Sequence, residues 1–153
     1  MLPPIDQVWL RDHVTRLAQS HQKWVGRPLV PGVPESDWVS HAWEGPFALV
    51  SHGTEADPVL NFGNRTALGL WELTWEQFVL TPSRLTAEAP HREERARLLA
   101  EVTARGFIAH YVGIRISQTG RRFLVEAATV WNVVDEVGRP VGQAATFDRW
   151  QWL

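Results

Sequence analysis

The chain of 153 residues carries 44% hydrophobic residues, a formal charge of -2 and no cysteine. That is one ordinary domain with enough apolar material for a core, and it excludes wholesale disorder, a disulfide framework and any site built on a thiolate. The balanced charge gives no global field to attract nucleic acid, and no apolar run approaches the ~18 residues of a membrane span.

From the start of the chain, Met1 to Trp9 has no basic stretch leading into an apolar run. The expectation is a cytoplasmic protein with neither a membrane nor a nucleic-acid partner. After Pro3-Pro4, residues 5–26 read as a helix: Ile5, Val8, Trp9, Val14, Leu17 and Trp24 recur near helical spacing, and Gly26 stands where a helix stops. Arg27 to Gly32, with two prolines, is a linker. Ser36 to Trp43 reads as a short helix ended by Gly45-Pro46. Phe47 to His52 and Val59 to Phe62 read as two short strands. Asn64 is a good N-cap for a helix over Arg65 to Leu73, and Thr74 for one over Trp75 to Leu80. Ala89 to Arg105, with Pro90 in its first turn and Gly106 after its end, is a longer helix. Phe107 to Ser117, Arg122 to Val134 and Val141 to Trp152 are three long strands joined at Thr119-Gly120 and Val137-Gly138, which makes an antiparallel meander.

This order describes an α+β fold: a five-stranded antiparallel sheet with short helices on one face and an extra N-terminal helix. It is also the layout of a PAS domain, in which the two early strands lie beside the late ones and the gap between sheet and helices forms a ligand cavity. Residues 1–32 are read as N-terminal helix and linker, and 33–153 as the single globular domain.

Several blocks, in order, resemble one family. They are Ser51 to Trp71 (SHGTEADPVLNFGNRTALGLW), Pro82 to Glu88 (PSRLTAE), Arg92 to Arg95 (REER), Gly113 to Ser117 (GIRIS) with Gly120 to Phe123 (GRRF), and Gly142 to Ala145 (GQAA). The sequence is similar to the MEKHLA domain family over roughly residues 40–153, in the stand-alone bacterial form. The resemblance implies a PAS-like module that senses a ligand or a state and has no output domain of its own.

In such a cradle the inward face of the long strands and the short helices would line the pocket. A two-residue turn at Thr119-Gly120 sets Ile116 opposite Phe123. It turns Ile108, His110, Val112, Ile114 and Ile116 inward, with Phe123, Val125, Ala127, Thr129 and Trp131. His110 is then a core histidine, a ligand contact or an axial haem ligand; His52, at a strand end before Gly53, is either locked to backbone in the tight turn or a second candidate for the ligand and haem roles. Asn61 and Asn64 serve turn and capping chemistry or point an amide at a ligand. Trp71, Trp75 and Phe78 are core and lid at once. Arg84 and Glu88, four apart, could pair, and Arg115 on a long strand must avoid being an unpaired buried charge. Arg84 and Arg115 are therefore candidates for an anionic ligand group, and Gln143 could add an amide. The run His91 to Arg97 reads as a solvated helix face.

Motifs for hydrolysis, phosphate binding, dinucleotide binding or zinc chemistry are absent, and the neighbours Ser51 and His52 point to opposite faces of a strand. The leading expectation is a sensory module that holds a small molecule, signals through protein contacts and forms a homodimer. Nine tryptophans, several near the chain ends, suit such a partner surface. The alternatives are a small haem- or substrate-binding enzyme and a ligand-free interaction domain.

Overall fold

The computed structural model describes Leu2, Pro3 and residues 5–153; Met1 and Pro4 of the expected lead-in lie outside the described residues. Helix α1 spans Gln7–Val25. Asp6 caps it, its carboxylate accepting from the backbone N–H groups of Val8 and Trp9 at 2.8 and 3.1 Å. The stripe Leu10, Val14 and Leu17 is fully buried, each side chain contributing roughly 1.5–3 kcal/mol of apolar burial. A short 3-10 turn, Glu35–Asp37, leads into α2, Trp38–Glu44. Strands β1, Ala48–His52, and β2, Leu60–Gly63, follow.

Helices α3, Arg65–Trp71, and α4, Trp75–Phe78, begin at the caps legible in the sequence. Asn64 Oδ1 accepts from the Ala67 N–H, and Thr74 and Gln77 close a reciprocal capping box. A 3-10 turn over Ser83–Thr86 precedes α5, Ala89–Arg105. Strands β3, Phe107–Ile116, β4, Arg122–Val134, β5, Pro140–Phe147, and β6, Arg149–Trp152, complete the chain.

The sheet runs β2-β1-β5-β4-β3, every pair antiparallel, with β6 also on β4. The last expected strand is thus interrupted at Asp148 but keeps its register: Thr129 faces Thr146, and Glu126 faces Arg149. The early strands do lie beside the late ones. Helix α1 lies on one face of the sheet, where Trp131 Nε1 donates to the Leu17 carbonyl at 3.2 Å. The next residue, Asn132, points the opposite way and donates to the Val102 carbonyl of α5 at 3.0 Å. Helix α5 therefore lies on the other face; α3 joins it there through Trp71, packed on Phe123 and Phe147, and α4 through Phe78, packed on Trp71, so the cavity lies on that side.

The β3–β4 register differs by one residue from the sequence expectation. Ser117 and Arg121 bracket a three-residue loop, not a two-residue one, with Gly120 at φ 89°. The Ser117 N–H donates to the Arg121 carbonyl at 2.8 Å and the Gly120 N–H to the Ser117 carbonyl at 3.1 Å. This is a turn followed by a left-handed glycine, and it pairs Ile116 with Arg122 and Arg115 with Phe123. Because side chains alternate, that slip turns Arg115 inward and the row Val112, Ile114, Ile116 outward. Val112 is 53% exposed and Arg115 only 9%.

Two bulges then break the β3–β4 ladder, one on each strand. Each holds a non-glycine residue at positive φ: His110 at 61° and Ala127 at 51°. Such residues cost of order 1–3 kcal/mol. The bulge leaves His110 exposed on the outer rim, so the inward placement expected for it is corrected.

Candidate functional site

Between the sheet and α3, α4 and α5 lies a cavity of about 70 Å³. Its apolar wall includes Val50 and Leu60 from the early strands, Trp71 and Phe78 from the short helices, and Val125 and Phe147 from the late strands. Its polar wall is His52, Thr86, Arg95, Tyr111, Arg115 and Gln143. The local folding explains each position. His52 and Val50 share a strand face because they are two apart, and Arg95 and Leu98 share a helix face because they are three apart.

His52 is buried at the end of β1, with its Nδ1 at 2.9 Å from the Gly53 carbonyl. A carbonyl only accepts, so Nδ1 carries the proton and Nε2 is a lone pair. That Nε2 is buried and has no hydrogen-bond partner. Burial holds the imidazole pKa below its usual value, outweighing the Gly53 hydrogen bond, so the ring is neutral.

Arg115 projects from β3 and donates to its neighbour's carbonyl, Ile114 O, at 2.9 Å, and weakly to the Tyr111 hydroxyl at 3.5 Å. Arg95 projects from α5 and donates to Ser83 Oγ at 2.5 Å. Among the described residues neither guanidinium makes an ion pair. Burial, and after it the charge of Arg115, lowers the Arg95 pKa to about 10. The Tyr111 hydroxyl donates to Glu94 Oε1 at 2.8 Å, and burial raises its pKa. Gln143 Nε2 is held by α5, donating to the Leu99 carbonyl at 3.1 Å and to Thr103 Oγ1 at 3.0 Å.

Of the residues singled out in the sequence, His52, Trp71, Phe78, Arg115 and Gln143 come together around the cavity. The others do not. Asn64 is a structural cap with its amide fully used: Oδ1 accepts from Leu49 and Ala67, and Nδ2 donates to Ala42 and Phe47 carbonyls. Asn61 accepts from the Ser51 hydroxyl at 2.5 Å. Trp75 packs edge-on against Trp43 and Phe62 in the core under α1 and α2. Trp131 lies on the α1 face, because the bulges shift β4 by one position after Glu126. Arg84 pairs with Asp57 at 3.2 Å, while Glu88 pairs with Arg122, so the expected Arg84–Glu88 pair is replaced by two longer-range ones. The sequence reading missed Arg95, Tyr111 and Thr86. Arg95 sits inside a run taken as a solvated helix face; its i, i+3 relation to the buried Leu98 is the signal that could have found it.

Haem does not fit. His110 is exposed on the rim, and His52 borders a space far below the ~300–1,000 Å³ of pockets for larger organic ligands. Ser51 does meet a histidine, but from α1: His13 Nε2 lies 2.9 Å from Ser51 Oγ. The serine proton is already given to Asn61, so His13 is the donor in that contact and does not act as a base toward the hydroxyl. Among the described residues no group of acidic or imidazole side chains could hold a metal ion, and no helix is long and apolar enough to cross a membrane.

The profile of one family, the MEKHLA domain, matches residues 11–152. The chain belongs to the MEKHLA domain family. No curated protein sequence matches it. Among solved structures, this MEKHLA domain is similar to a PAS domain from Colwellia psychrerythraea, with TM-score 0.64 and 13% identity over 77% of this chain and 95% of that one. It is similar to a light-oxygen-voltage domain studied with a flavin analogue, with TM-score 0.60 and 12% identity over 75% and 83% of the two chains. It is also similar to the PAS domain, in complex with ethanol, of a LuxR-family transcriptional regulator from Burkholderia thailandensis, with TM-score 0.55 and 16% identity over 74% and 95%. At these identities the likeness is one of fold. It agrees with the strand order and with a MEKHLA domain built on a PAS-like fold.

Proposed function

We propose that this MEKHLA domain is a sensor that binds a small molecule in the cavity between its sheet and α3–α5 and passes the bound state to a protein partner. The observation that carries this reading is a preformed cavity whose wall holds polar groups that protein partners do not complete: the buried Nε2 of His52, and the guanidiniums of Arg95 and Arg115, which make no ion pair among the described residues. Leaving such a group unsatisfied costs about 1–3 kcal/mol, a penalty that a bound molecule rearranging the wall can relieve. The volume sets the ligand's scale. It is about half the ~150 Å³ of an engineered apolar cavity that takes up benzene's six heavy atoms, so the ligand has on the order of three to five heavy atoms. A flavin tricycle, as suggested by the light-oxygen-voltage neighbour, exceeds it. The ethanol complex of the regulator's PAS domain is of the right scale.

The outward row Val112, Ile114 and Ile116 on β3 supports signalling through the outer sheet face, with a second copy of the chain as the partner. A cytoplasmic setting suits a domain of this kind.

Ligand-observed NMR against molecules of two to six heavy atoms tests the site. Binding to the wild type that is lost in Ala128→Val, which fills the cavity floor without adding polarity, supports the reading. Binding that survives the filled cavity, or no binding by any compound, overturns it.

A further inference from the structure

The cavity holds two guanidinium groups and no carboxylate of its own. Arg115 is 9% exposed, and its hydrogen-bond partners are a backbone carbonyl and a phenol. Arg95 has one hydroxyl. An arginine has five N–H donors, so most of theirs face the cavity or solvent unclaimed by protein. Two like charges beside one another in a half-dry site are costly, and proteins tolerate them where an anion completes the set. Glu94, on the same helix as Arg95, does not line the cavity and among the described residues makes no ion pair with either guanidinium; its Oε1 accepts from the Tyr111 hydroxyl at 2.8 Å. The remaining wall selects which anion fits. Trp71, Phe78 and Phe147 line the same cavity with apolar surface. An inorganic oxyanion would leave oxygens unpaired against that wall, whereas a carboxylate with a short hydrocarbon tail satisfies both sides.

We propose that the ligand is a short-chain carboxylate, its carboxylate held by Arg95 and Arg115 and its tail packed on Trp71, Phe78 and Phe147. This deepens the proposed function and rests on the cavity being a ligand site.

The test is isothermal titration calorimetry of the full chain with acetate, propionate, benzoate and inorganic phosphate, and with propionamide as the uncharged isostere of propionate. Acetate or propionate is expected to bind at least tenfold more tightly than propionamide, and benzoate and phosphate more weakly than either acid. Arg115→Gln and, separately, Arg95→Gln are expected to weaken propionate roughly tenfold to a hundredfold, the range for a lost charge-assisted hydrogen bond. They should also raise the melting temperature of the ligand-free protein, because each removes one of two repelling charges. A merely structural arginine would lower it. Propionamide binding as tightly as propionate, or phosphate binding best, overturns the carboxylate assignment and leaves the cavity as a site for another molecule. No binding by any of the five, together with ligand-free melting that falls in both variants, overturns the assignment and the site together.

Discussion

The indole of Trp24, on α1, fills the space where a Cβ at Gly106 would stand: the added atom would lie 2.3 Å from Trp24 Cε3. Gly106 ends α5 at φ 98° and opens β3, and its carbonyl accepts from the Asn132 N–H at 2.9 Å. Trp24 Nε1 in turn donates to the Asn132 carbonyl at 3.0 Å. One residue thus ties the N-terminal helix, the cavity helix and the central strand together. Gly106→Ala must accept both a left-handed backbone and an overlap with a ring held by that hydrogen bond. It should cost about 3 kcal/mol, read as a lower urea midpoint at unchanged slope.

Asn64 is the second structural tie. It is fully buried and joins α2, β1 and α3 through four hydrogen bonds. Asn64→Ala leaves two N–H groups and two carbonyls without partners. A loss of about 3 kcal/mol or more is expected in chemical denaturation. Asn64→Asp should fall close to it, because a carboxylate facing the Ala42 and Phe47 carbonyls repels them.

Acid should destabilise the fold through His13. Burial, and secondarily Arg16, lower its pKa from 6.5 to about 4. The unfolded chain then binds the proton that the folded chain refuses, so stability is full above pH ~6.5 and falls as pH drops toward 4. The full effect is about 3 kcal/mol. His21 and His52, lowered mainly by burial, act in the same direction. Urea unfolding at pH 7 and pH 5 should show the loss, and His13→Gln should make it smaller.

The outward apolar row makes a prediction about assembly. If β3 docks on a second copy, Ile114→Glu puts a charge in that contact while leaving the cavity untouched. Sedimentation should show a dimer for the wild type and a monomer for the variant. A wild-type monomer at high concentration contradicts the docking.

Local chemistry was legible in the sequence, and long-range geometry was not. Asn64 and Thr74 announce their helices because a cap speaks to residues three positions away. The late meander followed from how short its connections were, whereas the placing of the early strands beside the late ones came from the likeness to a PAS layout and not from the spacing of the strands. The β3–β4 register did not follow, because Thr119-Gly120 suits a two-residue turn as well as the three-residue loop that forms with Gln118. One residue of slip exchanged the two faces: Arg115 came in, and Val112 and Ile114 went out. The bulges at His110 and Ala127 carry no glycine to mark them, so His110 looked like an inward histidine and Trp131 like its neighbour across the cavity. Arg95 was hidden among charged neighbours, because a helix face that looks solvated in sequence is buried only where the sheet meets it.

The most direct measurement of the central claim is a crystal structure of the protein grown without organic acids and then transferred into propionate. The account predicts density for the acid in the cavity, with its oxygens within hydrogen-bond distance of Arg95 and Arg115 and its tail against Trp71 and Phe78. A cavity that holds only ordered water under those conditions, with both guanidiniums turned away from it, would contradict the account.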